Sequence, residues 1–144
     1  MDNAIDNALY ITNETNDSDI NTLSDKKHKT HYWMYTVFDD KSWNECQQKG
    51  IMVLGMDDIG DYSQFASKEA LRQELIDVYA SSTSRKNQAL MAWNFANTVS
   101  VNDVIFAKRS NTLVGKGIVT GGYVFDDLRH EYKNVRHCKV ASSW

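Results

Sequence analysis

The chain has 144 residues, 42% of them hydrophobic and 24% charged, which suits one ordinary globular domain. No apolar run approaches the roughly 20 residues of a membrane span, and the N-terminus lacks the basic start and apolar core of a signal peptide, so the expectation is a cytoplasmic protein without membrane contact. The net charge of -3 conceals an asymmetry: residues 1–25 hold six acids and no base, leaving thirteen acids against sixteen bases in the rest. An acidic tail therefore precedes a mildly basic domain, and such a domain can meet a polyanion.

Residues 1–29 are rich in Asn, Asp, Thr and Ser. That composition buries too little apolar surface to offset chain entropy, so the segment is expected to be a mostly disordered acidic and polar tail, with room for a short helix near Ile5–Tyr10. The run KKHK at 26–29 reads as a solvated linker. The domain is expected over residues 30–144.

HYWMYTVF (31–38) is aromatic and β-branched, a strand. Asp39 or Asp40 can cap a helix over KSWNECQQK, with Gly50 as its stop. IMVLG (51–55) is a short apolar strand, and DDIGDYSQFA (57–66) reads as loop. Ser67 caps a helix over KEALRQELIDVYA, in which Leu71, Leu75 and Val78 share one face. A second helix follows near 87–98, with Leu90, Trp93, Phe95 and Ala96 as apolar members. Three strands close the chain: VIFAK (104–108), TLVGKGIVTGGYV (112–124) and NVRHCKVAS (134–142).

Strands clustered at the C-terminal end argue against a doubly wound parallel sheet. They predict the α+β class, with a curved, mainly antiparallel sheet and helices packed on it. Gly115, Gly117, Gly121 and Gly122 fit this, because glycine inside a strand marks a bulge, a bend or a close backbone approach.

Motifs for catalysis are sparse. GKG at 115–117 lacks the phosphate-loop spacing, and the four histidines form no HExxH. Cys46 and Cys138 are too few and too far apart for a disulfide framework or a zinc site, and read as ordinary partly buried thiols. Glu131-x-Lys133 is half of a metal-dependent nuclease motif, for which Asp103 or Asp126 would have to supply the second carboxylate. The stronger pattern is aromatic and basic. Tyr123, Phe125, Tyr132, Arg129, His130, Lys133 and Arg136 follow Gly122 or lie near it, with Lys108 and Arg109 upstream. Cations suit phosphates and aromatic faces suit bases. Tyr123 also fits a core position.

Taken in order, the chain carries Tyr32-Trp33 in its first strand, Trp43 in the helix, VLGMDDIGDYSQF (53–65), Ser67-Lys68-Glu69-Ala70-Leu71 and Trp93-Asn94-Phe95. Asn102-Asp103-Val104-Ile105, the run from Gly115 to Asp126, and Glu131, Tyr132, Lys133 and Arg136 complete the series. The whole resembles the EVE-like domain of the PUA/YTH/EVE superfamily, in the version found at the N-terminus of McrB-type modification-dependent restriction proteins. It departs in two places: Met56 stands where that pattern has Trp, and Asn102 where it has Gly.

The resemblance implies a small PUA-like curved β-barrel of about five to six strands with flanking helices. It implies a non-enzymatic reader that needs no cofactor and no metal. Such a reader flips a modified base, methylated cytosine or adenine, out of double-stranded DNA into an aromatic-walled pocket. An AAA+ GTPase motor and a nuclease subunit would be its partners in antiviral restriction.

The expected walls are Met56, Phe125 and Tyr132, with base-edge contacts from Thr36, Asp39, Asp57 and Asp58. For Asp39 the helix-cap role competes. Lys108, Arg109, Arg129, Lys133 and Arg136 are the expected phosphate contacts. Trp33, Trp43 and Trp93 are expected in the core. An RNA-binding module of the same superfamily and a protein-interaction module are the alternatives.

Overall fold

In a computed structural model of the chain, residues 9–11, 30–37 and 39–140 are described. Among the described residues six strands form one sheet: β1 (Leu9–Ile11), β2 (Tyr32–Thr36), β3 (Ile51–Leu54), β4 (Val104–Arg109), β5 (Thr112–Phe125) and β6 (Asn134–Val140). Their spatial order is β1-β2-β4-β5-β6-β3, with β2 and β4 parallel and the other pairs antiparallel. The described residues also form the helices α1 (Asp40–Lys49), α2 (Lys68–Val78) and α3 (Lys86–Trp93), which flank it. The fold is thus α+β, a curled half-barrel with flanking helices, as the strand order predicts. No helix among the described residues is long and apolar enough to cross a membrane.

Local chemistry explains the ends of these elements. Asp39 is the N-cap of α1 and accepts from the Ser42 N–H at 2.7 Å, while Gly50 ends the helix in the left-handed region, φ 66°. Ser67 caps α2 in the same way. The segment 57–66 holds two short 3-10 turns, Asp57–Ile59 and Tyr62–Gln64. Asn102 adopts φ 78°, a conformation asparagine tolerates.

Three expectations need correction. Leu9–Ile11, inside the segment read as tail, pairs antiparallel with β2, and Leu9 is buried. A strand at residues 9 and 10 also displaces the helix expected near 5–10; residues 5–8, like the remainder of the tail up to residue 29, lie outside the described residues. On α2, Leu71 and Leu75 are fully buried but Val78 is exposed. On α3 the buried residues are Gln88, Ala89, Met91 and Ala92, and Leu90 faces solvent. The helix then widens into a π turn, Asn94–Thr98, closed by the Val99 N–H to the Asn94 carbonyl at 2.8 Å.

The core lies between the concave side of the sheet and α2 and α3. It gathers Trp33, Tyr35, Met52, Leu54, Tyr62, Leu71, Leu75, Phe95 and Val119. Trp33 is deeply buried, and Trp43 and Trp93 pack against the core as partly buried residues. The glycines serve the sheet itself. A side chain on Gly115 would meet the Trp43 indole at 2.6 Å, and one on Gly117 the Lys139 carbonyl at 3.3 Å. Between Val119 and Tyr123 the β5–β6 register shifts by two residues, so β5 bends at Gly121 and Gly122.

Candidate functional site

Three connectors meet at one rim of the sheet: the β2–α1 link, the turn after β3, and the β5–β6 connector, residues 126–133. Their meeting point is Gly55. A Cβ there would lie 3.6 Å from the Tyr132 ring, an ordinary van der Waals contact, so the ring packs beside this stretch of main chain. The Gly55 carbonyl accepts from the Tyr62 hydroxyl and from Asn134 Nδ2 at 3.3 Å. Behind it, the Tyr123 hydroxyl donates to Asn134 Oδ1 at 2.5 Å and accepts from the Tyr62 N–H at 2.7 Å. The Tyr62 and Tyr123 rings stack at 5.8 Å, with Phe95 edge-on to both. Tyr123 is therefore a framework residue, and burial pushes its hydroxyl well above the ordinary tyrosine range.

In front of this floor, Met56 and Tyr132 are both left-handed, φ 58° and 51°. Large side chains rarely hold that backbone without support from their surroundings. Here Asp57 Oδ1 accepts from the Lys133 N–H at 2.9 Å and ties the two connectors together. Burial, followed by the charges of Asp39, Glu131 and Asp57, raises the Tyr132 pKa, with the Ser42 hydroxyl opposing. The Tyr132 hydroxyl thus stays protonated. The N–H of Ser42, first of its causes, holds Asp39 below the usual carboxylate range.

The structure puts Met56, Asp57 and Tyr132 on neighbouring connectors, with Met56 packed against the main core and Tyr132 against the smaller cluster of Cys46, Ile51, Val53 and Val135. Asp58 is exposed on the outer side of its turn, towards Tyr79. Phe125 ends β5 opposite Asn134, next to the floor but on a strand rather than a loop. Thr36 ends β2 opposite Lys108. None of Met56, Phe125 and Tyr132 lines the open groove of about 760 Å³ that runs between α1, the outer edge of β5–β6 and the connector.

The five expected phosphate contacts separate into two kinds. Arg136 is buried, its Nε donating to the Phe95 carbonyl at 2.8 Å and its Nη1 to the Gly121 carbonyl at 3.0 Å, with Ala96 also in reach. It caps the π turn that ends α3, and desolvation lowers its pKa. Arg129 grips Glu45 through two bonds of 2.8 Å and donates from Nε to the Tyr132 carbonyl. These two guanidiniums hold the fold, and neither is presented to a phosphate. Arg109, by contrast, pairs with the exposed Asp40, and Lys133 Nζ lies 3.2 Å from the exposed Asp127. Pairs in solvent contribute little, so both cations can exchange a carboxylate for a phosphate. Lys108 is half-buried at the end of β4.

Sequence reasoning missed Glu45, Tyr62 and Asn134. Arg129 and Glu45 are 84 positions apart, and no spacing signals their pairing. Asp103, a candidate for the nuclease motif, is fully buried and accepts from the His31 and Ser100 N–H groups and from Trp33 Nε1, each at 2.9 Å. Asp126 accepts from the Leu128 N–H within its own turn. No group of three or more His, Cys, Asp or Glu among the described residues is arranged to hold a metal ion. Cys46 and Cys138 are free, buried thiols.

A family model described as a domain of unknown function, DUF8426, matches residues 33–140. Comparison with the curated proteins and with the solved structures gave no match.

Proposed function

The chain belongs to the DUF8426 family, and we propose that it is a reader of modified bases, binding DNA by accepting one swivelled-out base between Met56 and Tyr132. The observation that carries this reading is the pair of left-handed, partly buried large side chains on facing connectors, braced by the Asp57–Lys133 bond. Backbone strain of this kind persists where surrounding structure over-determines it, and it concentrates at binding sites.

The charges at the rim bear on which base. Asp39 and Asp57 each engage one backbone N–H, and a carboxylate has acceptor capacity beyond one such bond. Carboxylates accept from exocyclic amino groups, which cytosine and adenine carry and thymine lacks. The Tyr132 hydroxyl, kept protonated, supplies a donor to a ring nitrogen or carbonyl. In this reading Arg109 and Lys133, both in solvent-exposed pairs, take the phosphates on either side.

The energies are of compatible size. Extruding a base costs a few kcal/mol. Stacking on an aromatic returns about 1–3 kcal/mol, and each buried methyl adds about 0.8 kcal/mol. Met56 in place of indole gives a flexible, polarizable wall. The resemblance to McrB-type proteins supports a place as the recognition module of a restriction system, with motor and nuclease as partners.

Gel shifts with duplexes carrying cytosine, 5-methylcytosine, hydroxymethylcytosine or methyladenine test the reading. We expect tighter binding to one modified duplex, weakened roughly tenfold or more by Tyr132→Ala. Met56→Trp should strengthen it. Undetectable binding to all four sinks the proposal, and a preference for the same base in single-stranded RNA would select the RNA-binding alternative.

A further inference from the structure

The groove of about 760 Å³ between α1 and the β5–β6 connector has two unlike walls over an apolar floor. Ile51 and Val135, both buried, lie beneath it, and Val124, paired with Val135 across β5–β6, is 45% exposed. The α1 wall carries Lys41 and Lys49, and the connector wall carries Asp126 and Glu131. Lys41, Lys49 and Glu131 are exposed. Glu45 and Arg129 join the walls and cancel one another. Three acids thus meet three permanent cations, so a polyanion or an acidic peptide finds no excess of opposite charge here.

Leu128 stands on the rim of this groove and is 95% exposed, the most exposed large hydrophobic side chain among the described residues. Its turn is braced. Asp126 Oδ1 accepts from the Leu128 N–H at 3.1 Å, and the Asp126 carbonyl accepts from the Arg129 N–H at 3.2 Å. The Asp126 N–H donates to the Lys133 carbonyl at 2.7 Å, and Arg129 is clamped to Glu45. Single exposed apolar residues are ordinary on a surface, but this one adjoins an apolar floor. Held on a fixed turn, it gives up little backbone freedom on being buried.

We propose that a second copy of this chain occupies the groove, in a two-fold dimer whose Leu128 side chains each enter the groove of the other copy. A two-fold interface requires one patch to complement itself. This patch holds both a projection and an apolar floor, and both an acidic and a basic wall. An axis beside Leu128 lays each connector in the facing groove, with Glu131 of one copy towards Lys41 of the other. Leu128 and Val124 then leave water together. The inference is independent of the base-reading proposal, since neither Met56 nor Tyr132 lines the groove.

Sedimentation velocity between about 1 and 100 µM tests it, alongside thermal melts. We expect a monomer–dimer equilibrium within that range. Leu128→Asp should weaken the dimer about tenfold or more with an unchanged melting temperature, because the side chain is already in water. Lys41→Glu and Glu131→Lys should each weaken it by setting like charges opposite. An equimolar mixture of those two variants should dimerise more tightly than either alone, because mixing restores unlike charges between copies and repairs nothing within one chain. A chain that stays monomeric throughout overturns the proposal and leaves the groove to a partner of different sequence. A dimer indifferent to Leu128→Asp, or a mixture as weak as its components, overturns it as well.

Discussion

The Tyr35 hydroxyl holds β3 to β2 across the open side of the half-barrel. It donates to the Val53 carbonyl at 2.6 Å and accepts from the Val53 N–H at 3.1 Å. β2 and β3 share no ladder, and β3 is the terminal strand of the sheet. One phenol thus satisfies both main-chain groups of an edge residue, and burial keeps it protonated. Tyr35→Phe leaves a buried donor and acceptor unpaired, which costs about 1–3 kcal/mol. Urea denaturation should report that loss, and the Val53 amide should exchange with solvent faster than in the wild type.

Arg136 and Arg109 should behave oppositely. Arg136→Met strands the Phe95 and Gly121 carbonyls in the interior and should cost about 2–4 kcal/mol. Arg109→Met removes a pair whose partners are 38% and 82% exposed, and should change stability by less than about 0.5 kcal/mol. Thermal melts of the two variants compare them directly. If Arg109 meets phosphate as proposed, its variant loses DNA affinity while keeping its melting temperature.

Acid should loosen the β5–β6 connector through Glu45. Hydrogen bonds from Arg129, then from Lys49, hold the Glu45 carboxyl down at about 2. Its unfolded value is about 4.3. A depressed folded pKa contributes stability above the unfolded value, and the contribution disappears as pH falls from about 4.3 through 2. Because Glu45 is partly solvated, the contribution at neutral pH is about 1 kcal/mol. Urea midpoints of wild type and Glu45→Gln should differ by that amount at pH 7 and converge near pH 2; a gap of constant size would show that the pair is not the cause.

The two thiols should be inert in the folded chain. Burial pushes Cys46 up to about 11 and Cys138 up to about 12. At pH 8 a disulfide reagent should label them more than about a hundredfold more slowly than in denaturant, where both react as ordinary thiols. Fast labelling of the native protein would show that the sheet opens near β6.

The sequence by itself determined the elements and their ends. Asp39 and Gly50 bracket α1, Ser67 starts α2, and all five expected strands begin within one residue of expectation, because capping and alternation are local. Through a resemblance it also nominated Met56 and Tyr132, which the fold puts on neighbouring connectors. It did not distinguish Arg129 and Arg136 from Arg109, since all three look alike until burial is known. Only packing put the Arg136 guanidinium on the carbonyls of a π turn, brought Glu45 to Arg129, and set the Trp43 indole where Gly115 has no side chain. Those contacts join residues many positions apart. Their energies depend on which surfaces lose water together, and that is a property of the assembled fold rather than of any window of sequence.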